Sequence, residues 1–275
     1  MNPLVESSAI SSSPDTALPL AGRHAFVTGA SRGIGASIAF ELARLGANLS
    51  LIGRDEDALA SQVTAISAAH DVKVQSLVLD VTNADQITKS VETAEAQTGP
   101  IDILVNNAGA ATSAPFTRTS LDQWQALLDV NLTGPFLLTQ AVLPGMMERN
   151  FGRVINVAST AGLKGYGYVA PYCAAKHGII GMTRSLAIEI ATSGVTINAV
   201  CPGFTETDIA ARTIDTMVEK TGRSAEEAYK QLASLNPQGR LVQPEEVAQS
   251  VGWLALETSS SINGQAIAVA GGEVM

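Results

Sequence analysis

Seven short aliphatic runs recur along this chain, each separated from the next by a stretch of helical character, and that alternation limits the fold more than any other feature. The runs are His24–Thr28, Asn48–Ile52, Val72–Leu79, Ile103–Asn106, Arg153–Val157, Thr196–Val200 and Ala266–Val269. Helical stretches lie between them at roughly Ser37–Leu45, Glu56–Ala69, Ala84–Gln97, Leu121–Arg149, Tyr172–Ala191 and Pro244–Leu256. The runs are apolar almost throughout rather than at every second residue, as in strands covered on both faces. Strand and helix in alternation predict an α/β fold, a doubly wound parallel sheet of about seven strands with helices on both faces. Right-handed crossovers then put any ligand crevice at the carboxyl ends of the strands. The core must be mostly Ala, Val, Ile and Leu, because 46% of the 275 residues are apolar and only 4% aromatic.

The rhythm fails once. Between Phe204 and Gln243 no strand is evident, and two short charged helices are expected at about Asp208–Thr221 and Ser224–Ser234. An insertion after the sixth strand overhangs the crevice, so residues 204–243 are read as a small helical lid over a substrate. Residues 1–18 are Ser-rich, lack Lys and Arg, and read as a flexible tail rather than a secretory signal. Residues 19–275 then read as one domain, which includes that lid. No segment is expected to cross a membrane.

Charge and cysteine usage narrow the functional classes. A net charge of −9 and the absence of a basic run argue against nucleic acid as a partner. Cys173 and Cys201 have neither metal-ligand nor disulfide-framework spacing, which implies a reducing, cytoplasmic compartment. His24, His70 and His177 form no cluster, so no metal site is expected.

Thr28-Gly29-Ala30-Ser31-Arg32-Gly33-Ile34-Gly35 joins the first strand to the first helix. Glycines there let the backbone turn sharply and approach a pyrophosphate, and the helix N-terminus offers free N–H groups and a positive dipole end. That strand–loop–helix context makes the segment a Rossmann-type dinucleotide site. An acidic residue at the end of the second strand would bind ribose hydroxyls and repel a 2′-phosphate. Gly53 stands there instead, followed by Arg54, with Arg32 nearby. Two guanidinium groups favour a phosphate, hence NADP(H), although Asp55 and Asp57 oppose Arg54 and leave NAD(H) possible.

Tyr172 and Lys176 are four residues apart and share a helix face. A phenol ionises near pH ~10. An ammonium beside it favours the phenolate, so the pair can move a proton to or from an alcohol oxygen near neutrality. Ser159 ends the fifth strand, where its hydroxyl can stabilise a developing oxyanion in the same crevice.

Taken together, TGASRGIG (28–35), Asp80, Asn106-Asn107-Ala108-Gly109, Asn131, Ser159, Tyr172 with Lys176, and Pro202-Gly203 resemble the short-chain dehydrogenase/reductase family in order and spacing. The stretch from Ala158 to Asp208 is also similar to ketoreductases acting on 3-oxoacyl thioesters of carrier-protein and polyketide type. The resemblance implies that Asp80 and the Val81 backbone bind adenine, and that Asn107, Ala108 and Gly109 line the adenosine and ribose side. It implies that Pro202, Gly203 and Thr207 hold the nicotinamide end, that Lys176 also binds the nicotinamide ribose, and that Asn131 positions a water relay to it. It further implies a homotetramer, or a dimer, paired through the helices Leu121–Arg149 and Tyr172–Ala191.

The expected activity is hydride transfer between NADP(H) and a carbonyl or secondary alcohol, in the direction of reducing a 3-oxoacyl thioester or similar ketone. The alternatives are an NAD-dependent 3-hydroxyacyl or secondary-alcohol dehydrogenase and, from another class, a non-catalytic dinucleotide-binding protein. Ala110, Ala111, Leu163, Tyr166, Tyr168 and Phe204 are candidates for the wall of the substrate pocket, with Lys164 or Arg212 facing an anionic tail.

Overall fold

The computed structural model describes residues 17–275, so the tail reading for residues 1–16 lies outside the described residues. Leu18, counted with that tail, already accepts a hydrogen bond from the Ala21 N–H.

One parallel sheet of seven strands organises the chain, in the order β3-β2-β1-β4-β5-β6-β7. The strands are β1 His24–Thr28, β2 Asn48–Gly53, β3 Val74–Val78, β4 Ile103–Asn106, β5 Gly152–Val157, β6 Val195–Pro202 and β7 Ala266–Val269. The order reverses beside β1, between β1 and β4, and there the crevice opens. Alternate residues of a strand point to opposite faces. Ala25 and Val27 of β1 therefore pack on one side with Ile38 and Leu42, Leu59 and Ile66, and Val247, Val251 and Leu254. These come from α1 (Gly33–Arg44), α2 (Glu56–Ala69) and α9 (Pro244–Ala255). Phe26 faces the other side, with Ile87 and Val91 of α3 (Ala84–Thr98) and Leu138, Val142 and Met146 of α5 (Gly134–Glu148). Each such side chain contributes about 1.5–3 kcal/mol on burial.

The expected single helix Leu121–Arg149 is two. α4 (Leu121–Leu128) passes through a π-helical turn at Asp129–Thr133 before α5 begins. Pro135 has no N–H to close the ordinary helical bond to the Asn131 carbonyl. The Gly134 N–H instead donates five residues back, to Asp129. Glycine is needed at 134, because a Cβ there would lie 2.7 Å from the Val81 carbonyl oxygen.

The same stretch bears on the membrane expectation. Val130–Met147 carries no charged residue, and Leu121–Glu148 is long and apolar enough to cross a membrane by length and composition. The structure packs Leu127, Leu138, Val142 and Met146 of this run in the protein interior, so it serves as a core helix pair.

α6 spans Ala170–Glu189, two residues earlier at each end than expected. After β6 come α7 (Asp208–Thr221) and α8 (Ala225–Ala233), ahead of α9. Ser224 caps α8 reciprocally with Glu227. The segment is not wholly without strand pairing, for Thr205 forms an isolated parallel bridge with Val242 at its base.

Candidate active site

The glycine turn is built for close main-chain contact. Gly29 and Gly33 have φ of +65° and +55°, left-handed values that suit glycine. A Cβ on Gly35 would lie 2.1 Å from the Gly29 carbonyl oxygen and 2.4 Å from Asn107 Nδ2. Asn107 Nδ2 donates to the Thr28 carbonyl at 2.8 Å and to the Gly29 carbonyl at 3.2 Å. Thr28 Oγ1 accepts from the N–H groups of Asn107 and Ala108 at 2.9 and 3.0 Å. β4 thus clamps the turn that leaves β1, and the Asn107 side chain is occupied with this clamp. At the start of α1, Arg32 makes no side-chain cap and the first turn holds no acidic residue. Its orphan N–H groups are left for an anion, so Gly29–Gly35 fit a pyrophosphate.

The arginines stand on the same rim. Arg54 immediately follows β2 and is exposed. Asp55 accepts the Ala58 N–H at 3.0 Å as the N-cap of α2. Arg32 is 3.6 Å from Asp208, with both side chains more than half exposed. A Cβ on Gly33 would lie 3.3 Å from Thr207 Cγ2, so the start of α7 rests on the glycine turn. Asp80 accepts from the Thr82 N–H at 3.0 Å and its hydroxyl at 2.8 Å. Those bonds, helped by the Arg54 charge, hold its carboxyl below the usual carboxylate range. Val81 beside it is buried.

The side chains expected to carry acid–base chemistry meet deeper in the crevice. Lys176 is buried, donates to the Val157 carbonyl at 2.9 Å, and lies 5.6 Å from the centre of the Tyr172 ring. Asn131, in the π turn, donates to the carbonyls of Ala110 and Leu127 at 2.8 and 2.9 Å. Gly109 separates the two: a Cβ there would lie 2.7 Å from Asn131 Oδ1 and 3.7 Å from Lys176 Nζ. Ser159 caps a short 3₁₀ turn, its Oγ accepting the Ala161 N–H at 3.1 Å.

The electrostatics differ from the sequence expectation. Burial pushes the Tyr172 phenol up, although the Ser159 hydroxyl pulls it down. Burial also pushes the Lys176 ammonium down to about 8. Desolvation acts on both charged forms and is the largest cause for each, and neither residue figures among the causes of the other's shift. The ammonium form of Lys176 still predominates at pH 7.

Among the pocket candidates, Tyr166 and Phe204 meet edge to face, with ring centres 6.2 Å apart. Tyr168 is exposed with φ of +68°, and its carbonyl accepts the Ala114 N–H at 2.9 Å. Pro202 and Gly203 close β6 beside Glu273, a residue that sequence reasoning passed over. No local pattern marks a carboxylate so near the C-terminus.

The model of the short chain dehydrogenase family matches residues 23–218, and the chain belongs to that family. It is an oxidoreductase acting between C=O and CH–OH groups. It is 38% identical to a 3-oxoacyl-[acyl-carrier-protein] reductase of Synechocystis sp., over 93% of this chain and 98% of that one. It is 37% identical to a D-beta-hydroxybutyrate dehydrogenase of Cupriavidus necator, over 89% of this chain and 95% of that one. Among solved structures, a singly substituted actinorhodin polyketide ketoreductase with NADPH matches with a TM-score of 0.88 and 38% identity, covering 91% of this chain and 97% of that one.

Proposed function

We propose that this protein reduces a 3-oxoacyl thioester or a similar ketone with NADPH. The observation that carries the reading is the meeting of Lys176 Nζ, Asn131 Oδ1 and Gly109 beside Tyr172, deep in a crevice whose glycine turn admits no side chain. Gly29, Ser31, Arg32, Gly33, Ile34 and Gly35 would hold the pyrophosphate, and Arg32 and Arg54 the 2′-phosphate. Asp80 and Val81 would take the adenine; Asn107, Ala108 and Gly109 the adenosine and ribose side; Pro202, Gly203 and Thr207 the nicotinamide end. When bound, NADPH supplies a hydride to the carbonyl carbon. Tyr172 gives its proton to the substrate oxygen, and Ser159 donates a hydrogen bond to the same oxygen as charge builds there. Lys176, charged near neutrality, lowers the cost of the resulting phenolate and binds the nicotinamide ribose. Lys176 then passes a proton to the phenolate and restores Tyr172, and Asn131 would position a water relay that returns a proton to Lys176.

The relative named as a D-beta-hydroxybutyrate dehydrogenase favours a second reading, oxidation of a 3-hydroxy acid with NAD. Nicotinamide absorbance with 3-oxoacyl thioesters and plain ketones, set against 3-hydroxy acids with NAD, separates the two. The first reading expects NADPH oxidation with a kcat/KM at least about tenfold above that for NADH, as loss of a paired phosphate implies. A preference for NADH, or turnover only of hydroxy acids, would replace it with the second.

Three coarser features belong to the same proposal. Residues 204–243 act as a lid, supported by the contact of Thr207 with the glycine turn. The chain assembles as a homotetramer through α4, α5 and α6, where Leu121, Phe136 and Ile188 expose 77%, 45% and 80% of their surface. The free thiols of Cys173 and Cys201 suit a cytoplasmic setting.

A further inference from the structure

One buried carboxylate lies where all the loops of the catalytic side come together. The chain leaves β7 through Gly271 and Gly272, with φ of +57° and +92°, and turns back on itself so that the Glu273 N–H donates to the Ala270 carbonyl at 3.1 Å. The Glu273 side chain is only 2% exposed. Its Oε1 accepts the Tyr166 hydroxyl and lies 3.1 Å from Lys164 Nζ. Its Oε2 is buried without a partner among the described residues and faces Gly203, where a Cβ would lie 3.0 Å away. Burying a carboxylate is costly unless it is paired and hydrogen-bonded. Here the pairing is to a loop, not to the sheet.

The direction of the bonds follows from the donors available. A carboxylate only accepts, so Tyr166 donates to Glu273. The Tyr166 oxygen then accepts from the Thr160 hydroxyl, 2.7 Å away. Thr160 is buried and directly follows Ser159. Its carbonyl accepts the N–H groups of Leu163 and Lys164 at 2.9 and 3.0 Å, which closes the turn. Burial and the Glu273 bond push the Tyr166 phenol well up, so it stays a donor at every working pH. Phe204, at the root of residues 204–243, packs its ring against Tyr166. The post-β5 turn, the loop into α6, the post-β6 loop and the C-terminal segment therefore converge on one side chain.

We infer that Glu273 is a positioning residue for the reaction: through Tyr166 and Thr160 it sets the turn that carries Ser159. This rests on the reductase reading above for its kinetic consequence, though not for its structural one. Glu273→Gln keeps the shape and removes the charge, and Tyr166→Phe removes the linking hydroxyl. A misplaced catalytic group costs far more in turnover than in binding remote from it. Each variant lowers kcat about tenfold, while the NADPH dissociation constant by fluorescence titration stays within about twofold of wild type. The double variant is no slower than the slower single one, because both break the same chain of bonds. Amide hydrogen exchange at Ala161–Lys164 quickens about tenfold in each variant, while Gly33–Arg44 is unchanged. Single variants with wild-type kcat, losses that multiply in the double variant, or unaltered exchange in the turn would overturn the assignment. If the wild-type protein turns over no ketone, the reductase reading fails, and the exchange measurement still decides whether Glu273 holds the Ser159 turn.

Discussion

On the nucleotide side of the crevice, where β1, β2 and β4 end, the work is done by main chain. Two left-handed glycines, a third that faces a carbonyl oxygen, and the amide of Asn107 shape the turn, and the free N–H groups of α1 line it. On the opposite side, at β5, β6 and the segment after β7, side chains make the site. Ser159, Tyr172 and Lys176 are the side chains proposed for the acid–base chemistry, and Thr160, Tyr166 and Glu273 form the chain of bonds proposed to brace it. The difference separates two kinds of failure. A main-chain cradle is damaged by added atoms, which strain the fold and block the ligand together. A side-chain site can lose one functional atom and keep its shape.

Tyr172→Phe gives the largest expected effect. It removes one oxygen on the catalytic side, and turnover falls by about 10³-fold or more, while NADPH fluorescence titration shows binding preserved. Substantial residual turnover would end the role of Tyr172 as proton donor and with it the contrast between the two sides. Gly35→Val tests the other side. Its added carbons meet the Gly29 carbonyl and Asn107, so stability falls by about 1–3 kcal/mol or more and cofactor binding goes with it. Normal binding and an unchanged Tm would show that the turn is softer than its contacts imply.

Arg54→Ala sharpens the picture within the nucleotide side. Removing one of two guanidinium partners lowers kcat/KM with NADPH by about tenfold, close to 1.4 kcal/mol, and leaves NADH nearly unaffected. Equal losses with both cofactors would exclude a 2′-phosphate contact. A pH effect belongs to the catalytic side. Lys176 titrates at about 8, so its charged form prevails below that pH. kcat/KM for reduction therefore declines as pH rises through about 8, and a profile flat to pH 10 would contradict the part given to its charge.

The smallest effect lies at the amino end of β1, away from the crevice. His24 is buried, with Nδ1 2.7 Å from the Gly99 carbonyl and Nε2 2.8 Å from Ser50 Oγ. Burial holds its pKa below the ordinary 6.5, against the opposing bond to Gly99 and the charges of Asp102 and Glu95. The unfolded chain binds the proton more readily, so the stabilisation is full above about pH 6.5 and is lost as pH falls through the depressed folded value. Denaturant titrations of wild type and His24→Gln should diverge in slope below that pH; parallel curves would remove His24 from the acid response.

Much of this was readable locally. The seven strands appear where aliphatic runs fell, with ends displaced by a residue or two, because burial on both faces leaves a continuous apolar signature. The glycine turn and the Tyr172/Lys176 spacing were legible for the same reason: each is set within a few residues of chain. The break in Leu121–Arg149 was signalled by Gly134–Pro135, yet the apolar pattern runs through it unbroken and masks it. Glu273 had no signal at all, since its partners at Lys164 and Tyr166 lie more than a hundred residues away.

From the order of amino acids alone came the parallel α/β plan, the nucleotide turn and the chemistry-bearing side chains, because periodicity, left-handed glycines and helical spacing are properties of short segments. Folding in three dimensions decided the rest: which strands adjoin, that Asp55 caps a helix, that the Glu273 side chain reaches Tyr166 and Lys164, and that burial raises the phenol of Tyr172. Those outcomes depend on which distant groups share a space and how much water is excluded from it, and no short stretch of chain encodes either.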